Sequence, residues 1–225
     1  FLLEISKQFG VSVFIQSSSS SVYGNSTGSR FYESSIRNPI SPYGESKKLA
    51  ETYVSEMLAG TSTRGISLRY FNVVGALDKS LQDSSIFNVF PKTIDRVNKG
   101  EPPIIFGTKY PTPDGTCIRD YIHVCDIAHA HTLALQFSIK QNTENACEVF
   151  NLGTGNGITV LEAIHAFEKV SGVRLNYEVG PRRAGDIVAI YANNDKAVKQ
   201  LGWKCKYGLE EMMHTAWQWE QSLAK

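Results

Sequence analysis

Tyr43 and Lys47 stand four residues apart in Ser41-Pro42-Tyr43-Gly44-Glu45-Ser46-Lys47. On a helix those positions share a face, so the ammonium can lie beneath the phenol and favour its ionised form. That makes Tyr43 a candidate base for hydride-transfer chemistry. A serine run, Ser17 to Ser21, lies upstream and offers hydroxyls to a ligand. The pair alone has little weight, because ten tyrosines and fourteen lysines in 225 residues produce about 0.6 such spacings by chance. The elements that carry the two residues must decide what they meet.

Val11-Ser12-Val13-Phe14-Ile15 is a short apolar run rich in β-branched residues, which predicts a buried strand ending in the serines. Pro42 suits the first position of a helix and Ser41 its cap, so a helix is expected from Pro42 to about Gly60. Ile66 to Asn72 reads as the next strand. Phe1 to Gly10 reads as the last turns of a preceding helix, so the first 72 residues alternate helix, strand, helix, strand. This alternation predicts an α/β fold, part of a doubly wound, Rossmann-like parallel sheet covered on both faces. Polar residues at the C-terminal ends of such strands line the ligand crevice, and the serine run falls there.

From Val73 the pattern changes. A polar loop (Asp78 to Ser85), a helix to Gly100, the breaker Glu101-Pro102-Pro103 and Ile104-Ile105-Phe106-Gly107 predict a smaller mixed lobe. A helix follows over Val124 to Lys140, then a strand at Val149 to Leu152 that rejoins the main sheet. Thr159 and Glu162 form a capping-box pattern opening a helix that stops at Gly172. A strand near Leu175, a short helix from Asp195 to Leu201 and a terminal helix carrying Trp217 and Trp219 complete the reading. The main sheet takes residues 1–75 with 120–153, and the second lobe 76–119 with 154–225.

Composition narrows the ligand. With 23 basic and 22 acidic residues and no block of like charge, there is no footprint for nucleic acid or an anionic membrane, so a small-molecule ligand is expected. The four cysteines show no C-x-x-C spacing, which fits reduced thiols and a cytoplasmic protein. No apolar run approaches a membrane span and no signal-like segment occurs. Gly153-Thr154-Gly155-Asn156-Gly157 superficially resembles a dinucleotide loop, but the spacing is wrong and a plain glycine turn is expected. His129 and His131, two apart on a helix, point in different directions, which argues against a metal site and leaves surface or supporting roles. Arg119 reads as a structural ion pair with Asp120 or Asp126, or as a ligand contact. Arg182-Arg183-Ala184-Gly185-Asp186 is either a solvated turn or a guanidinium pair suited to phosphate.

Taken together, these segments resemble the extended short-chain dehydrogenase/reductase family and, within it, the UDP-glucose 4-epimerases. The likeness covers the whole chain in order: Ser17 to Gly24, Ser41 to Lys47, Leu68 to Ala76, Ile105 to Gly107, Tyr110 to Val124, Asn151 to Gly153 and Pro181 to Asp186. The resemblance implies a 4-epimerisation of UDP-galactose and UDP-glucose with bound NAD. It implies Tyr43 as base, Lys47 as its cationic partner and holder of the nicotinamide ribose, and Ser19 on the sugar's 4-oxygen. Ser17 and Phe71 are implied as further cofactor contacts. Ser20, Ser21, Asn72, Asn88 and Val89 are implied as substrate contacts, with Ile104, Ile105 and Phe106 beside uracil. Arg119 and Arg183 match diphosphate-binding arginines, and Asp186 a ribose acceptor. A homodimer is implied by the same likeness.

The sequence departs from that pattern. The family's G-x-x-G-x-x-G loop belongs roughly a hundred residues before the serine strand, so the chain is expected to be a fragment that is inactive alone. Ile190 stands at a position occupied in the family by a large aromatic or a small residue, and is expected to leave room for an N-acetyl group. Sugar-nucleotide 4,6-dehydratases share the Tyr and Lys but place Asp and Glu where Ser20 and Ser21 stand here. UDP-pentose and UDP-N-acetylhexosamine epimerases, or a non-catalytic relative on the same scaffold, are the alternatives.

Overall fold

The computed structural model describes residues 1–24, 28–78, 81, 89–140, 147–183 and 185–223. Helix α1 (Leu2–Gln8) leads into β1 (Val13–Ser19), β2 (Arg30–Phe31), α2 (Pro42–Leu58), β3 (Arg64–Tyr70) and β4 (Asn72–Val74). Then follow α3 (Val89–Asn98), β5 (Ile104–Phe106), β6 (Ile118–Arg119), β7 (Tyr121–His123), α4 (Val124–Lys140) and β8 (Glu148–Leu152). The chain continues through β9 (Ile158–Thr159), α5 (Val160–Ser171), β10 (Glu178–Gly180), β11 (Ala189–Ala192) and α6 (Leu209–Leu223). No helix among these is long and apolar enough to cross a membrane.

Strands β1, β3 and β8 form a parallel sheet in that order. Its two faces are read directly from the alternation of β3. Ile66 and Leu68 pack with Ile127, Ala130 and Ala134 of α4 and with Phe150 and Trp203. Gly65 and Arg69, on the other face, meet α2: a Cβ at Gly65 would press on Val54 and Leu58, and Arg69 binds Glu51. The sheet is therefore covered on both sides in the α/β, Rossmann-like manner. The serines do not follow the strand but extend it, with Ser17, Ser18 and Ser19 opposite Leu68, Arg69 and Tyr70.

At Phe71 the chain leaves this sheet. Its N–H still bonds the carbonyl of Leu152, whereas the next N–H, of Asn72, turns to Asp120 and starts the parallel pair β4–β7. The rest of the structure holds a four-stranded sheet, β2-β11-β6-β9, and a two-stranded one, β10-β5. Helices α5 and α6 close its core through Phe167, Met212 and Met213. The capping box of Thr159 and Glu162 is formed, and Gly172 ends α5 at φ 70°. The strand expected near Leu175 lies at β10 instead; Leu175 itself is buried in that core. Strands of two to four residues such as β2, β6, β9 and β11 are too short to show a period of two, and sequence patterning misses them. A third cluster, Val22, Tyr23, Phe31, Phe71, Ile190 and Ala192, fills the junction where the segments after β1 and β3 meet β2 and β11.

Candidate active site

Tyr43 and Lys47 lie in the first turns of α2, and three local features fix where those turns sit. Ser41 caps the helix by accepting the N–H of Gly44 at 3.0 Å, and Pro42 occupies the first turn. Gly44 packs against the short 3-10 turn Ser20–Val22 that follows β1, where a Cβ would come 2.6 Å from the Ser21 carbonyl oxygen and 2.9 Å from Pro39. Only glycine permits that approach. The helix start is thus clamped beside the tip of β1.

At that tip the serines divide by face. Ser18 is buried and donates to Glu51 at 2.6 Å. Ser17 turns the opposite way, its hydroxyl 2.8 Å from that of Tyr70. Ser19 caps the 3-10 turn by accepting the N–H of Ser21 at 3.2 Å. The Lys47 ammonium donates to the carbonyl of Ser17 at 2.9 Å and lies 5.5 Å from the centre of the Tyr43 ring. Tyr43 itself is 56% exposed. A solvent-facing phenol over a tethered ammonium, with a serine turn alongside, can exchange a proton with a bound hydroxyl.

One residue absent from the sequence reading organises this arrangement. Glu51 continues the Tyr43, Lys47 stripe by another helical turn and is buried between α2 and the sheet. It accepts from Ser18, from Arg69 Nε and Nη2 at 2.8 and 2.6 Å, and from Arg37 at 3.0 Å. Arg69 also donates to the Tyr23 hydroxyl at 2.8 Å, which reaches Asn151 at 2.5 Å. Burial pushes the Tyr23 phenol up to about 12, against the pull of Arg69, so it remains a donor. This buried polar rod fixes α2 against β1 and β3 next to the reactive tip.

The second group of candidate residues lies on β5, on β6 and in the turn before β11. Arg119 is anchored by the carbonyls of Ile118 and Ile187 at 2.8 and 2.7 Å, with its other amino group 3.8 Å from Asp186. Arg183 grips both oxygens of Asp186 at 3.1 and 3.2 Å. Its guanidinium lies 4.6 Å over the Phe106 ring, and Arg182 lies 4.5 Å over Tyr110. Phe106 is in β5 with Ile104 and the buried Ile105. The structure thus gathers Arg119, Arg183, Asp186 and Phe106 into one cluster.

The NAD dependent epimerase/dehydratase family matches residues 1–153. The chain belongs to that family. Among its relatives in this epimerase/dehydratase family, the UDP-glucose 4-epimerase of Cyamopsis tetragonoloba is 41% identical, the match covering 97% of this chain and 63% of the relative. That of Bacillus subtilis (strain 168) is 38% identical over 98% of this chain and 66% of the relative. The crystal structure of UDP-glucose-4-epimerase from Stenotrophomonas maltophila, with bound NAD and formylated UDP-arabinopyranose, superposes with a TM-score of 0.91 at 39% identity, covering 99% of this chain and 67% of that one. The chain therefore spans just under two thirds of these two curated relatives.

The remaining candidates fall on the epimerase/dehydratase frame as follows. Phe71 is 6% exposed, its side chain packed in the junction cluster. Asn72 opens β4, half-buried. Ser20 and Ser21 form the 3-10 turn, and the Ser21 hydroxyl makes no hydrogen bond among the described residues. Asn88 lies outside the described residues, and Val89 opens α3. Neither ion pair considered for Arg119 from sequence is found among the described residues: Arg119 turns to Asp186, Asp120 to the glycine loop, and Asp126 to the N–H groups of Lys206 and Tyr207. Asp120 accepts the N–H and hydroxyl of Thr154 at 2.8 and 2.6 Å on one oxygen, and the N–H groups of Gly155 and Ala192, both at 3.0 Å, on the other. A Cβ on Gly153 would overlap that second oxygen. Burial raises the carboxyl above its usual value even so, and the four donors oppose that rise.

Proposed function

We propose that the protein belongs to an NAD-dependent 4-epimerase interconverting UDP-galactose and UDP-glucose. The observation that carries this reading is the Lys47 ammonium held by the Ser17 carbonyl beneath the exposed Tyr43 ring. The curated relatives' names and the NAD-bound neighbour support it. The residues fit the cofactor: Lys47 carries three donors, and Tyr43, an exposed side chain on the first turn of α2, lies beside the C-terminal end of the parallel strand β1, to which Lys47 is hydrogen-bonded. NAD, when bound, supplies the acceptor and then the donor of the hydride at C4 of the sugar.

Tyr43 takes the proton of the 4-hydroxyl and later returns it, so the sugar leaves with its atoms and electrons balanced and only C4 inverted. Ser19 orients the 4-oxygen, and Lys47 together with Ser17 and Phe71 serves the cofactor side. Arg119 and Arg183 hold the diphosphate by paired donors, Asp186 the ribose, and Ile104, Ile105 and Phe106 the uracil. Ser20, Ser21, Asn72, Asn88 and Val89 complete the substrate contacts. Anchoring through UDP leaves the sugar free to present either face. The full-length protein with NAD is expected to form UDP-glucose from UDP-galactose in a proton NMR assay; absence of product with NAD bound would end this reading. The same reading makes the protein cytoplasmic and a homodimer, checked by sedimentation.

Among alternatives, a UDP-pentose is favoured by the arabinopyranose nucleotide in the Stenotrophomonas structure. N-acetyl sugars are tested at Ile190, which packs on the junction cluster beside Val22 and Phe71. UDP-N-acetylgalactosamine should be converted by the full-length protein, and Ile190→Tyr should cut that conversion about tenfold or more relative to UDP-galactose. Failure of the unsubstituted protein to convert it removes the role given to Ile190.

A further inference from the structure

The sequence set His131 aside, yet the structure brings it to the edge of the site. Its Nδ1 lies 2.9 Å from the carbonyl of Ile127, one helical turn back in α4. A carbonyl only accepts, so Nδ1 carries a hydrogen, and in the neutral tautomer with that hydrogen Nε2 is the acceptor. The hydroxyl of Tyr70, the last residue of β3, stands 2.7 Å from that nitrogen and donates to it. The same Tyr70 hydroxyl stands 2.8 Å from Ser17 Oγ, so Tyr70 links His131 to Ser17. Ser17 is also the residue whose carbonyl receives Lys47 at 2.9 Å.

We infer that His131 is a positioning residue for the epimerase reaction, acting through Tyr70 and Ser17 to hold the peptide that tethers Lys47 beneath Tyr43. This rests on the function proposed above. The cluster lies on the α4 face of the sheet, whereas Glu51 secures Ser18 from the α2 face, so the tip of β1 is held from both sides. Without the α4-side contact, the Ser17 peptide that accepts Lys47 is left to its strand pairing with β3. Burial, and next to it the nearness of Tyr43, raise the Tyr70 phenol above its usual value, while the Ser17 contact opposes them. Tyr70 therefore stays protonated and able to donate to His131.

Two experiments separate this clamp from the reaction it serves. In a long-range proton–nitrogen spectrum of the full-length protein, His131 in its neutral form should show hydrogen on Nδ1 and none on Nε2. Tyr70→Phe should shift the Nε2 resonance without altering the circular dichroism. A hydrogen on Nε2, or no shift in Tyr70→Phe, overturns the proposal. In the NAD-loaded full-length protein, His131→Leu should lower kcat for UDP-galactose about 10- to 100-fold, the scale of a misplaced reacting group, with KM nearly unchanged. His131→Gln, which keeps an acceptor for Tyr70, should recover much of the loss. The double variant Tyr70→Phe/His131→Leu should be no slower than the worse single one. A rise in KM at constant kcat, or losses that multiply, counts against it. If the unsubstituted enzyme forms no UDP-glucose, the epimerase reading fails and the nitrogen spectrum still decides whether the clamp exists.

Discussion

Tyr43→Phe should lower kcat for UDP-galactose about 10²- to 10⁴-fold in the NAD-loaded full-length protein, the range that a positioned acid–base group contributes. The substitution removes one oxygen and keeps the ring that lies over Lys47. Because the side chain is more than half exposed and its hydroxyl is not needed to satisfy a buried partner, stability should change by less than about 0.5 kcal/mol. KM should move little, since the diphosphate anchors proposed above, Arg119 and Arg183, lie on other elements than α2. The decisive comparison is kcat with an unchanged unfolding midpoint. A rate within a factor of about two of the unsubstituted enzyme would take the base role away from Tyr43.

Glu51→Gln should destabilise the fold by about 3–5 kcal/mol, as expected when one partner of a buried ion pair is removed. Glu51 and Arg69 side chains are each 3% exposed. The amide keeps the volume but replaces an accepting oxygen with a donor facing the Arg69 guanidinium, which is left without its counter-charge. The sign of the pH dependence follows from Glu51 itself. Burial works against its charged form, but the bonds from Arg69, then Ser18 and Arg37, outweigh it and hold the carboxyl below its usual 4.5. A carboxylate depressed in the folded state stabilises above its unfolded pKa, and loses that contribution as pH falls through the folded one. The difference between the two proteins in urea unfolding should therefore be full near pH 7 and shrink below about pH 4.5. A difference below about 1 kcal/mol near neutrality would mean that the rod through Ser18, Glu51 and Arg69 does not hold α2 in place.

What could be read from the sequence was local in the chain. The Ser41 cap, the Tyr43 to Lys47 spacing and the capping box at Thr159 are each written within a few residues, and the family resemblance ordered them. The buried Glu51–Arg69 pair was not legible, because its partners are 18 residues apart on a helix and a strand. Its only trace was an arginine inside the apolar run Ile66 to Phe71, together with an acid at helical spacing from Lys47. His131 was hidden for a similar reason: helical direction separates it from His129 but says nothing of a tyrosine 61 residues away. Arg183 and Asp186 could be recognised as a charged turn, yet only folding shows the two gripping each other over Phe106.

The glycine loop after β8 has the form of an anion nest, with successive N–H groups turned toward one point. Asp120 occupies that point from within the same chain, matching four donors to the four acceptor sites of a carboxylate. The loop is thus saturated by an intramolecular ligand. A phosphate arriving there would have to displace a covalently tethered anion whose effective concentration no free metabolite reaches. The resemblance to a nucleotide loop is consequently one of shape alone, and its affinity for negative charge is spent on joining the end of β8 to β11.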